Sequence, residues 1–393
     1  MAREMKITRI TVHRYTWELR DMGSDYNGFN AVYEPGARRQ MGGSVLTIET
    51  DAGITGEFSG GVESTQLASV ARYLLGKNPL QRELLYNDIK RALRKLDRLV
   101  MGPIDIALWD IAGKAHNAPI YELLGGWKTT LPCYASTYHG DRVHDGGLSS
   151  PEAFAAFAVQ CQEMGYPAFK IHPWGHDPNE SGYIEREVAN VLEVRKQAGP
   201  GMDLMIDPAC EYDTWAETLK VGKACDEAGF FWYEDPCKDG GISGFFHKTL
   251  RQHIKTPLLI GEHVRGLEPH VDLILAGGTD FVRADAYMDW GITGVMKIAH
   301  AAEGLGLDVE IHGGGPAHRH CMAAIRNTNY YELGLVHPSV TKTKPPIYAG
   351  GYSDELDAID RRGHVPVPQG PGLGVPLDWD YLRSHEAGTT VYE

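Results

Sequence analysis

"AFKIH", residues 168–172, is an apolar run carrying two cations, and Pro173 stops it. In a strand, alternation places Lys170 and His172 on one side and Phe169 and Ile171 on the other. Seven further short, β-rich runs resemble it, and most finish on or near an ionisable residue: "LPCYAS" (131–136), "DLMID" (203–207), "FFWYED" (230–235), "LLIGEH" (258–263), "DFVRAD" (280–285), "LDVEIH" (307–312) and "YYELG" (330–334). Amphipathic stretches with helix punctuation lie between them. Ser150 and Pro151 start one and Gly165 ends it, while Asp213 and Gly229 bracket the next. Eight strands alternating with helices are the cadence of a parallel (β/α) barrel, whose chemistry sits at the C-terminal ends of the strands.

Upstream the texture differs. "GSVLTIETDAGITGEFSGG" (43–61) alternates around Asp51-Ala52-Gly53, a hairpin signal. "MGPIDIALWDIAGKAHNAPIYELLGG" (101–126) reads as helical, with Ile104, Ala107, Leu108 and Ile111 on one face and a stop at Gly125 and Gly126. The tail, 345–393, is rich in Pro and Gly and is expected to pack back on the N-terminal segment.

Composition narrows the functional class. The 393 residues are 42% hydrophobic and 23% charged, as in an ordinary globular protein. Six cysteines without CxxC pairs argue against a disulfide scaffold or a zinc site and fit a reducing cytoplasm. "MAREMKITRI" lacks a signal-peptide core, and no window approaches a membrane span. A net charge of −14 without a basic stripe excludes nucleic acid as a partner. That charge also repels an anionic substrate, so a site for one needs local positive charge, and Lys170 is the candidate.

Taken in strand order, the terminal residues are Lys170 and His172, Asp207, Glu234 and Asp235, Glu262 and His263, Asp285, His312 and Glu332. Carboxylates converging on one mouth without compensation cost several kcal/mol in desolvation and repulsion, so a cation is required. Asp207, Glu234 and Glu262, on the third, fourth and fifth strands, supply all-oxygen ligands suited to Mg2+, and the ligand set does not separate Mg2+ from Mn2+. "IHGGGPAHRH" (311–320) is not a phosphate loop, because the GK[ST] ending is missing.

This series of residues on successive strands resembles the mandelate racemase subgroup of the enolase superfamily, as do "ALWDIAGK" (107–114) and "YEDP" (233–236). The resemblance implies an α/β fold: a (β/α)7β modified TIM barrel over residues 131–344 beneath an α+β capping domain formed by residues 1–130 and completed by 345–393. It implies Mg2+ on Asp207, Glu234 and Glu262, an Asp285–His312 base dyad, Lys170 and His172 across the substrate, and Glu332 as the last-strand acid. It also implies a small carboxylate substrate and a homo-oligomer. His263 is a candidate for substrate contact or for support of a metal ligand. Arg38 and Arg39 fall where the family has a mobile loop over the substrate, with Tyr26, Tyr33 and Trp17 as further lid candidates. Tyr138 and His139 are placed to reach the pocket mouth.

The proton beside a carboxylate is weakly acidic, since its removal puts a second negative charge on the same group. Metal and Lys170 would stabilise that charge, and His312 held by Asp285 would take the proton near neutral pH. Mandelate-type racemases carry a lysine at position 172 and an asparagine at 209, where this chain has His172 and Ala209. Muconate-type enzymes carry a lysine at position 285, where this chain has Asp285. A histidine at 172 is similar to that of galactonate-type sugar-acid dehydratases, in which it protonates a departing hydroxyl, although those carry an aspartate where this chain has Lys170. The expected activity is dehydration of an aldonate or aldarate to a 2-keto-3-deoxy acid, with racemisation, epimerisation or cycloisomerisation of a hydroxy acid or sugar lactone as the alternative.

Overall fold

The structure, a computed structural model, describes residues 5–174 and 182–393. Alternating residues near the N-terminus form a long hairpin of β1 (Ile7–Ser24) and β2 (Ala31–Thr50). β2 turns through residues 51–53 into β3 (Thr55–Gly60), with Gly53 at φ 71° supplying the left-handed residue of the turn. Helices α1 (Ser64–Leu74), α2 (Arg82–Ala92) and α3 (Met101–His116) follow. The stretch expected to be helical over 101–126 is broken. Asn117 turns left-handed at φ 52°, Pro119 follows, and only the short α4 (Ile120–Leu123) resumes. Proline disfavours helical backbone in the residue before it, which explains the break.

Eight parallel strands come next: β4 (Thr130–His139), β5 (Ala168–His172), β6 (Asp203–Ile206), β7 (Trp232–Glu234), β8 (Leu258–Ile260), β9 (Phe281–Ala284), β10 (Asp308–Ile311) and β11 (Tyr331–Val336). Their ladder runs β10-β9-β8-β7-β6-β5-β4-β11. Side chains help close the seam between β10 and β11: Glu310 accepts from Asn329 N (3.0 Å) and Tyr330 N (3.2 Å), and Glu332 from Gly313 N (2.7 Å). The connections hold α5 (Pro151–Met164), α6 (Tyr183–Ala198), α7 (Trp215–Ala228), α8 (Gly244–Arg251), α9 (Leu267–Ala276), α10 (Ile292–Gly304) and α11 (Pro316–Ala324), which makes a (β/α)7β barrel.

Ser150 caps α5, accepting from Ala153 N at 3.3 Å, and Gly165 ends it at φ 110°. α7 is capped by Thr214 rather than Asp213. Thr214 Oγ1 accepts from Glu217 N while the Glu217 carboxylate accepts from Thr214 N, the capping box written as T-x-x-E.

After the barrel, β12 (His364–Pro366) pairs with β4, α12 (Trp379–Ser384) follows, and β13 (Glu386–Tyr392) returns to the free edge of β1. The antiparallel sheet therefore reads β13-β1-β2-β3. Two contacts seat these flanking segments on the barrel. Asp105 of α3 accepts from Thr293 N (2.8 Å) and Oγ1 (2.7 Å) at the start of α10. The β1–β2 hairpin packs Leu19, Met22, Tyr33 and Met41 against Tyr138, Leu335 and Val340 at the barrel mouth.

Candidate active site

Inward-facing residues recur at every second position along the barrel strands. The lower layer is aromatic and apolar: Tyr134, Ala168, Met205, Trp232 and Leu259, with Phe281 and Tyr330 packed against them. Two residues further along several of these strands the charged layer begins. Lys170 follows Ala168, Asp207 follows Met205, Glu234 follows Trp232, Arg283 follows Phe281 and Glu332 follows Tyr330. Apolar residues thus plug the barrel below and leave the ionisable layer facing the mouth.

Ligand oxygens of Asp207, Glu234 and Glu262 lie within 4.8 Å of one another. Beneath them Lys170, 1% exposed, reaches three acids at once: Asp207 Oδ2 (3.2 Å), Glu234 Oε2 (2.9 Å) and Glu332 Oε1 (3.1 Å). Arg283, fully buried, pairs with Glu234 Oε1 at 2.8 Å and Glu332 Oε2 at 2.7 Å and donates to Tyr134 Oη at 3.0 Å. Burial works against the charge of Lys170, but Glu234 and Glu332 outweigh it and hold the ammonium well above its usual pKa. The same cations overcome burial at Glu332 and hold its carboxyl well below the usual range.

Two lysine and arginine charges do not balance five acids. Asp235, 1% exposed, has no hydrogen-bond partner for either carboxylate oxygen among the described residues. Burial, then Glu262, Asp207 and Glu234, push its pKa well above normal. An orphaned buried carboxylate beside three clustered ones is the signature of excess negative charge, and an all-oxygen donor set of this kind fits a hard divalent cation such as Mg2+.

Two histidines flank the cluster. His312, just past β10, donates from Nδ1 to Asp285 Oδ2 at 2.6 Å, and its Nε2 lies 3.4 Å from Glu262 Oε1. Asp285 is fixed in turn by Tyr287 N (2.5 Å) and Met288 N (2.8 Å). Burial opposes the imidazolium, but Glu262 and Asp285 prevail and raise the His312 pKa to about 9. On the other flank, His172 donates from Nδ1 to Thr137 O at 2.7 Å and places Nε2 3.0 Å from Asp207 Oδ2. Both ring nitrogens face acceptor oxygens.

A cavity of about 430 Å3 joins Lys170, His172, Asp207, Glu262, His312 and Glu332 to Asn30, Tyr138, His139, Thr343 and Lys344. Burial and the neighbouring His172 lower the His139 pKa to about 4, so that ring is neutral; its Nδ1 meets Pro173 O at 3.1 Å. Tyr138 and His139 thus reach the pocket. The lid candidates are not among the residues that line it, although Tyr33 and Trp17 pack beside Tyr138 at the barrel mouth. Arg38 and Arg39 lie within β2, not in a loop, because the alternating pairing of β1 with β2 extends to Leu19↔Arg39 and Arg20↔Arg38. Arg38 sits 3.6 Å from Glu18, and Arg39 donates to Gly23 O at 2.9 Å. Tyr26 is exposed in the hairpin turn, Tyr33 stacks on His337 at 4.6 Å, and Trp17 packs in the sheet core. From that turn it is Asn30 that lines the cavity. His263 lies outside the cavity lining, with Nε2 3.8 Å from Asp235 Oδ2.

Comparison with known proteins follows this geometry. Residues 153–381 match the model for the enolase C-terminal domain-like family, and residues 36–125 match the N-terminal domain of the mandelate racemase / muconate lactonizing enzymes. The chain belongs to the mandelate racemase / muconate lactonizing enzyme family. Within it, the chain is 27% identical over 380 residues to D-xylonate dehydratase of Haloferax volcanii, covering 89% of this chain and 87% of that one. It is 28% identical over 327 residues to D-galactarolactone cycloisomerase of Agrobacterium fabrum, covering 79% and 81%. Among solved structures, D-glucarate dehydratase from Agrobacterium tumefaciens complexed with magnesium superposes with a TM-score of 0.83 at 28% identity, covering 98% and 99% of the two chains. Relatives in this family include both dehydratases and a cycloisomerase, so the family alone leaves the overall reaction open.

Proposed function

We propose that the protein is an Mg2+-dependent acid-sugar dehydratase that converts an aldonate or aldarate to its 2-keto-3-deoxy acid. The observation that carries this reading is the pair of imidazoles on either flank of the acid cluster, His312 beside Glu262 and His172 beside Asp207. They come from β10 and β5, well apart around the barrel. Asp207, Glu234 and Glu262 would hold the ion, which supplies positive charge to the substrate carboxylate as its second negative charge develops.

His312 Nε2 takes the proton from the carbon beside the carboxylate. Asp285 keeps Nδ1 protonated and stabilises the imidazolium that results; Glu262 also favours that imidazolium in the metal-free fold, and binding of the ion to Glu262 would free Nε2 to accept. The proton on His172 Nε2 then goes to the departing β-hydroxyl, which leaves as water, and the enol rearranges to the ketone. Lys170 favours the ionised form of Asp207, and Lys170 and Arg283 together favour that of Glu332. Dehydratase relatives support this outcome.

Incubating the protein and Mg2+ with a panel of aldonic and aldaric acids is expected to release a 2-keto acid from at least one of them, and silence across the panel overturns the reading. In the second reading, favoured by the cycloisomerase relative, His172 protonates carbon instead of oxygen. Solvent deuterium entering at C2 without keto-acid formation identifies that outcome. His312→Asn is expected to lower turnover by about 10²- to 10⁴-fold while Mg2+ still binds; retained turnover removes His312 from the role of base.

A further inference from the structure

The cavity holds a cation that the reaction above does not use. Lys344, in the segment following β11, lines the same space as Lys170, Asp207 and His312. Its ammonium donates to two neutral oxygens, Leu335 O at 2.9 Å and Thr343 Oγ1 at 2.6 Å, and it forms no ion pair among the described residues. Glu355 does not neutralise it at contact, because that carboxylate accepts from the backbone N–H groups of Thr343 and Lys344, each at 2.9 Å. The clamp fixes the backbone that carries Lys344, and the ammonium keeps a third N–H to offer.

Other cations at the cavity are committed. Lys170 is shared among three carboxylates, and His139 is neutral. Burial depresses the Lys344 pKa, and Glu355, Asp354 and Glu332 recover only part of that. A partly buried ammonium with neutral partners is stabilised by an anion that enters beside it. Glu332, at the cavity floor, and Leu335, which holds Lys344, lie three residues apart on β11, less than about 10 Å along the strand because the ladder shifts register between Gly334 and Val336. An extended sugar diacid covers such a span once a hydrogen bond is added at each end.

We infer that Lys344 reads the far end of the substrate by pairing with a second carboxylate, so that sugar diacids are preferred over aldonic acids. This rests on the reading that the first carboxylate goes to the acid cluster. The test is calorimetric binding to the full-length His312→Asn protein with Mg2+, where nothing turns over. The probes are matched pairs differing only at the terminal carbon: D-glucarate and D-gluconate, galactarate and D-galactonate, xylarate and D-xylonate.

At least one diacid is expected to bind about 10- to 100-fold more tightly than its partner, the worth of a hydrogen bond to a charged group. Adding Lys344→Met should erase that margin, and Lys344→Arg should keep most of it, with Tm and Mg2+ affinity unchanged in both. Diacids that bind no better than monoacids in every pair overturn the inference, as does an equal loss for both members of a pair in Lys344→Met. Should Lys344→Met fail to fold, the margin in the parent and its retention in Lys344→Arg decide alone. The dehydratase reading fails separately, on absence of keto acid from the wild-type protein.

Discussion

At His312 two acids act on one imidazole, and the sign of their effect can be followed through pH. With its folded pKa raised to about 9, despite burial, by Glu262 and Asp285, the ring favours its charged form in the metal-free fold. Its contribution to stability is full below the unfolded value of about 6.5 and fades as pH climbs through the raised value. Thermal melts of metal-free protein across that window are expected to show a decline that His312→Asn flattens. A divalent ion on Glu262 cancels part of that acid's pull, so Mg2+ binding near pH 8 is expected to release a proton. Calorimetry in buffers of different ionisation enthalpy measures the release, and identical heats in all buffers would contradict it. Arg283 is the other residue with a large expected effect. Arg283→Met leaves Glu234 and Glu332 buried without that cation, and a loss of about 3–5 kcal/mol is expected by chemical denaturation. Alternation in "DFVRAD" already placed Arg283 on the inward side two residues before Asp285, by the logic that singled out Lys170 from "AFKIH". Standing in mid-strand rather than at its end, it lacks the terminal position that marks the other site residues.

Among elements, the barrel strands were the most legible, because each couples an apolar body to a polar end within a few residues. All eight runs contain a strand, although Asp207, Asp285 and His312 each fall one residue beyond its last paired position. Their side chains are therefore set by the loop as well as the ladder; Asp285, for example, is held by Tyr287 N and Met288 N. Legibility failed where distant pairing decides the element. Nothing local in "EPGARRQ" announces a strand, and the ladder skips its first four residues, but pairing with β1 resumes at Arg38↔Arg20 and Arg39↔Leu19. Packing between α3 and the proposed Asp285–His312 dyad offers an element-scale test. A Cβ on Gly102 would stand 2.1 Å from the carbonyl oxygen of Tyr287, whose N–H holds Asp285. Gly102→Ala is expected to cost about 1–3 kcal/mol in stability and to lower turnover as well. A fall in Tm with kinetics unchanged would show that the strain is absorbed without reaching Asp285.

For the molecule as a whole, metal binding to the acid cluster would tie folding to the ion. An ion that binds only the folded chain stabilises it by mass action, about 2.7 kcal/mol at a hundredfold excess over Kd. Chelation is therefore expected to lower Tm and added Mg2+ to restore it, and Glu234→Gln should blunt the response; a Tm indifferent to Mg2+ would count against the assigned ligands. Residues that close the cavity from outside the barrel were the least readable from sequence. Asn30 in the hairpin turn and Lys344 after the last barrel strand carry no periodic signal, and only the assembled fold brings them to the same space. That assembly also fixes an order of events. The outer edge of β1, begun at Ile7, is covered by β13, which ends at Tyr392. A ribosome adding about 5–20 residues per second takes tens of seconds to travel between them. Throughout that interval the nascent chain presents an open strand edge, and the charges of Arg9 and Arg14 along β1 are of the kind that keeps such an edge from pairing with another chain before its own last strand arrives.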